Sequence, residues 1–162
     1  MTPEQLATLK AFANADPPAA GYIATGNDVG LAAWFNASVP FLVYRTSVSR
    51  VEIQNEPGPS GSEWDWTVYK NQSASEQGAW RDMAMGDGIN FSKEKVRAGI
   101  AKIFSGTGAN AAHRSHVLSF ATRDASRVES ALSIGPGTTQ EPATLTFEGT
   151  ISPAEASSVR VA

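Results

Sequence analysis

The strongest constraint on this chain is a helix-start signature that recurs from one end to the other. Thr2-Pro3-Glu4-Gln5 combines an N-cap hydroxyl, a proline at the first helical position and a capping-box amide. Ser73-Ala-Ser-Glu76 repeats the box, and Ser152-Pro153-Ala154-Glu155 repeats cap, proline and acid together. Between these starts lie Gly- and Pro-rich breaks, with 14 Gly and 9 Pro in 162 residues. Frequent starts and frequent stops dictate short helices joined by long loops.

The apolar spacing fills in the segments. A first helix is expected to run to about Asn14, with Leu6, Leu9 and Phe12 on one face, and "DPPAAGY" is read as its break. A second spans 27–36 and groups Leu31, Trp34 and Phe35. "PFLVY" (40–44) reads as a strand or as the lead-in to a helix, and 48–54 as a short helix. A helix from Ser73 to about Met85 buries Trp80 and Met83, and "GDGINFS" (86–92) forms a loop.

The clearest stripe follows a cap at Ser92: Val96, Ile100, Ile103 and Phe104 stand at i, i+4, i+7 and i+8, and Gly106 ends the helix. "AAHRSHVLSFATRDASRVESALSIG" is one long helix, or two with a bend near Thr122. "ATLTFEGT" alternates Leu145 and Phe147 with polar residues and reads as a strand, before a short helix from Ser152.

The expected fold class is mainly α: about six helices with long loops and one or two short β-strands. A single domain over 1–162 is expected, with loops at 56–63 and 135–142 and a C-terminal extension from about 143. A hydrophobic content of 41% against 18% charged residues excludes a disordered chain. There is no cysteine, so disulfides and thiolate metal sites are excluded. No apolar run is long enough for a transmembrane helix, and the N-terminus lacks the pattern of a signal peptide.

The search for chemistry ends without a catalytic, cofactor-binding or metal-binding residue. His113 and His116 share a helix face but have no third ligand near them in sequence. No G-x-S-x-G elbow occurs, and Gly106-Thr-Gly108 follows a helix, the wrong context for a nucleotide loop. Glu63 and Asp65 flank Trp64 without a wider carboxylate cluster.

Charge and aromatics point to surfaces. Residues 1–92 carry 5 Lys/Arg against 10 Asp/Glu, whereas residues 93–127 carry 7 against 2. The basic block supplies Lys93, Lys95, Arg97, Lys102 and Arg114 as candidates for facing DNA or an acidic neighbour. Three of the four tryptophans fall within 63–80. Trp80 and Trp66 are expected as core anchors, with Trp64 partly exposed; Trp64 and Trp66 both stand as interface candidates.

Several stretches together resemble a family of small tailed-bacteriophage and prophage virion proteins. These are "MTPEQLATLKAF", "FLVYRTSVSRVEIQN", "WTVYKNQSASEQGAW", "KVRAGIAKIFSGT" and "ATLTFEGTIS", in order and over nearly the whole chain. The 56–63 loop stands as an insertion relative to the family's pattern. The family assigns no catalytic residues. The resemblance implies a structural component of the virion, assembled in the bacterial host cytoplasm, without cofactor, enzyme activity or membrane. Its length and helical content resemble the head–tail adaptors that form a ring of about twelve copies beneath the portal. Portal and other neck or tail proteins are the implied partners, with passive contact to DNA. The alternatives are another tail-completion or capsid-associated protein, or a small DNA-binding packaging accessory.

Overall fold

The computed structural model describes residues 1–86 and 88–162. It is predominantly helical, with ten helices, two small two-stranded antiparallel sheets and long loops among the described residues. The chain divides into two compact units, one built from 1–43 with 124–162 and the other from 44–123.

The first unit begins with α1 (Pro3–Asn14), where Thr2 and Gln5 form the reciprocal capping box expected of them. The "DPP" break is instead the start of α2 (Pro17–Thr25). Asp16 caps it by accepting from the Ala19 amide, and Gly26 ends it at φ 69°. Proline in the first helical position loses no hydrogen bond, so Asp-Pro-Pro starts a helix as readily as it interrupts one. α3 (Asp28–Asn36) follows its Asn27 cap.

The 40–44 run resolves as a strand, β1 (Ser38–Tyr44). It pairs with β2 (Thr122–Ser126), and Leu42 bonds on its other side to Gly137 and Ala143.

The long helix expected after residue 109 does not form as one. α8 (Ala109–Ser119) stops and β2 intervenes, before α9 (Arg127–Ala131) opens on a Ser126–Glu129 capping box. β3 (Ser133–Ile134) and β4 (Thr144–Leu145) pair antiparallel; the 143–150 strand is only these two residues long.

The segment from 143 is an integral part of the first unit's core. α10 (Pro153–Val161) buries Ala156 and Val159 beside Leu9, Leu31 and Phe35. The Asn36 amide fixes this segment by bonding both the N–H and the C=O of Ile151 at 2.8 Å. Arg160 also reaches Asp28 at 2.8 Å.

The second unit holds α4 (Arg50–Asn55), α5 (Trp66–Lys70), α6 (Ala74–Met83), α7 (Glu94–Ile103) and α8. Its core joins Ile53, Trp64, Trp80, Phe91, Ile100 and Phe104. The expected α7 stripe is buried at Ile100, Ile103 and Phe104. Ser92 is not its cap, because the Ser92 hydroxyl is bonded to Asn90 at 2.5 Å; Lys93 occupies the cap position without a side-chain bond. Within the loop expected over 86–92, Asp87 lies outside the described residues.

Candidate functional site

The candidate site is the aromatic segment 62–69 and the face of α8 beneath it, both within the second unit. Asp65 starts α5, its carboxylate accepting from the amides of Thr67 (2.7 Å) and Val68 (3.1 Å). That cap decides the fate of the flanking indoles. Trp64 precedes the cap and packs on Tyr69, four residues into the helix, with ring centroids 5.5 Å apart. This is a hydrophobic staple, which turns the residue before the cap inward. Trp66, at the first helical position, is directed outward.

The two indoles therefore exchange the roles expected from the sequence: Trp64 is 8% exposed and Trp66 is 49% exposed. Trp80 is fully buried, as expected. Trp64 lies at the centre of an aromatic cluster, 5.4 Å from Trp80, 6.1 Å from Phe104 and 4.3 Å from the His113 ring. Trp66 touches the outside of that cluster, 5.8 Å from Trp64 and edge-on.

Both histidines are buried, His113 at 2% and His116 at 0% exposure. Their tautomers follow from their partners. The Asp65 amide donates to His113 Nδ1 at 3.2 Å, so the neutral ring carries its proton on Nε2, which has no protein hydrogen-bond partner. His116 Nε2 donates to the Ile53 carbonyl at 2.7 Å, leaving its Nδ1 to accept from the Ser62 hydroxyl at 3.1 Å.

Burial pushes the His113 pKa down from 6.5 to about 4. The neighbouring His116 adds to the shift, and the Asp65 charge opposes it. These side chains seat a loop. No group of three His, Asp or Glu residues able to hold a metal ion occurs among the described residues.

The basic block separates into two kinds of residue. Arg97 donates to the Phe91 carbonyl at 2.6 Å and stacks over Tyr44 at 4.1 Å. Arg114 donates to the Phe104 carbonyl at 2.7 Å, at the C-terminal end of α7 where a cation meets the helix dipole favourably. Both arginines thus serve the unit's own packing. Lys93, Lys95 and Lys102 are exposed. Glu63 and Asp65 do not form a carboxylate pair on a strand, since Asp65 is spent on its cap and Glu63 borders a small surface groove with Glu56.

The sequence held one unread signal for this site: Trp-Asp-Trp-Thr-Val-Tyr is a staple around an Asp cap. The histidine contacts, separated by 48 and 54 residues from their partners, had no local signal.

Compared with known proteins, the chain matches no family model, no curated protein and no solved structure. No helix among the described residues is long and apolar enough to cross a membrane.

Proposed function

We propose that this chain is a structural subunit of a tailed-bacteriophage particle, a head–tail adaptor that assembles as a ring of about twelve copies beneath the portal. The observation that carries the reading is the ordered series of sequence blocks, from "MTPEQLATLKAF" to "ATLTFEGTIS", that resembles the family across nearly the whole chain. The mainly helical architecture supports an adaptor over stoppers, tail terminators and capsid decoration proteins, which are richer in strand.

The surface chemistry suits contact with neighbouring copies. Trp66 presents half an indole to solvent on the rim of a rigid aromatic cluster, the type of side chain that anchors interfaces. The first unit carries 3 Lys/Arg against 8 Asp/Glu, and the second carries 10 against 8. Their opposite net charges favour contact between unlike units of neighbouring copies over contact between like ones.

The test is quantitative mass spectrometry of particles purified from the phage or prophage that encodes the chain. About twelve copies per particle are expected for a ring of this kind. Absence from the particles refutes the reading.

The exposed Lys93, Lys95 and Lys102 favour a second reading, a DNA-binding packaging accessory. Its signature is DNA affinity of the free protein that falls steeply with salt and weakens when the three lysines are replaced. Negligible DNA binding at low salt removes it.

A further inference from the structure

We propose that His113 is an acid-operated latch: its Nδ1 holds the 56–65 segment closed through the Asp65 amide, and protonation of the ring releases that segment together with Trp64. The geometry gives the latch one polarity. An amide N–H can only donate, so once Nδ1 carries a proton the Asp65 amide and the ring present hydrogens to each other, at atoms now 3.2 Å apart. His116 is not equivalent. Its partner, the Ser62 hydroxyl, can rotate and accept from a protonated Nδ1, so that contact survives a change of charge.

The surroundings amplify the effect at His113. Its ring lies between Trp64 at 4.3 Å and Phe104 at 4.5 Å, and its Nε2–H already lacks a protein acceptor. A second proton would bury a charge among aromatic rings with no new partner. The groups facing His113 are Asp65, whose carboxylate is engaged in capping α5, and His116 on its own helix. The Arg114 guanidinium is held on the Phe104 carbonyl. The closed segment is otherwise well seated. Gly58 is buried, and a Cβ there would lie 2.6 Å from the Ser62 and Ser119 hydroxyls and 3.3 Å from His116 Nδ1. Gly58 also bonds Ser62 at 2.7 Å and accepts from Gly61, closing a tight turn.

The pH window follows from the closed and released states. Released, His113 titrates near 6.5; closed, near 4. The closed state is fully favoured above 6.5, and its advantage is lost progressively as pH falls towards about 4. Over that interval the opening equilibrium rises about tenfold per pH unit, roughly 300-fold in all. Opening exposes Trp64 beside the already exposed Trp66.

The test is amide hydrogen exchange of the full chain between pH 7.5 and 4.5, corrected for intrinsic exchange and resolved to peptides covering 56–68. It is run on the wild type and on His113→Asn, whose amide oxygen can accept from Asp65 but does not titrate. Wild-type protection in these peptides is expected to fall tenfold per unit below pH 6.5 while the variant stays flat. The exposed carboxylates of Glu56, Glu63 and Asp65 are common to both proteins, so their protonation cancels. Wild-type opening that ignores pH, or a variant that opens as steeply, overturns the proposal. Should His113→Asn not fold, NMR titration of the His113 ring in the wild type decides. A midpoint near 4 with the Asp65 amide shift following it supports the latch, whereas a midpoint near 6.5 or an indifferent Asp65 amide overturns it.

Discussion

Replacing Trp64 and Trp66 separately by alanine tests the central structural claim about the aromatic segment. Trp64 is 8% exposed and meets the rings of Trp80, Phe104, Tyr69 and His113. A buried indole withdraws about 200 Å² from water, and at ~25 cal/mol per Å² that is ~5 kcal/mol of transfer free energy, part of which alanine retains. Truncation also leaves a cavity, so Trp64→Ala is expected to cost about 3–5 kcal/mol. At ~2–4 °C per kcal/mol for a chain of this size, a loss of about 4 kcal/mol lowers the melting temperature by roughly 8–16 °C. Trp66 keeps half its surface in water, and its removal opens no cavity. With about half the buried area, Trp66→Ala is therefore expected to cost about 2 kcal/mol, or roughly 4–8 °C. The assay is thermal unfolding followed by far-UV circular dichroism and calorimetry, neither of which depends on the deleted fluorophore. Equal shifts, or a larger shift for Trp66→Ala, would refute the assignment of Trp64 to the core.

Other substitutions probe the remaining contacts. Asn36→Ala leaves both backbone polar groups of the buried Ile151 unpaired and is expected to cost about 2–4 kcal/mol in urea unfolding. Gly137→Ala drives a Cβ into the Phe41 ring at φ 66°, whereas Gly26→Ala, at φ 69°, meets nothing within 4 Å. The Gly26 change should cost about 1 kcal/mol from backbone strain alone, and the Gly137 change clearly more, as melting temperatures will show. Trp66→Ala protein should fold yet enter particles poorly, measured by its copy number in purified virions. Normal incorporation would remove the interface role.

What the sequence revealed follows the range of the interactions. The boxes Thr2–Gln5, Ser73–Glu76 and Ser152–Glu155 form within one turn, so their helices start where the sequence places them. The same local chemistry was present but hidden at Ser126–Glu129, inside a stretch read as one long helix or two bent near Thr122, and at Asp16-Pro17, where proline read as a break. The inversion of Trp64 and Trp66 has a similar origin. Two tryptophans at i and i+2 would share one face of a strand but diverge across a helix start, and only recognition of the Asp65 cap shows that they diverge and which faces in.

Contacts across long stretches of chain left no local trace. Asn36 meets Ile151 across 115 residues, and the histidines meet their loop across 48 and 54. Read locally, His113 and His116 were a same-face pair with no third metal ligand; folded, they accept hydrogen bonds from the segment above them. The basic block divided over shorter spans of 6 and 10 residues, because the Phe91 and Phe104 carbonyls that hold Arg97 and Arg114 flank α7 and carry no side-chain signal.

The most direct measurement is a reconstruction of the neck of purified particles, with this chain traced in density. The proposed role requires a closed ring of copies beneath the portal, with Trp66 buried against the adjacent subunit. A neck built without this chain, or a ring in which Trp66 still faces solvent and no partner, would contradict it.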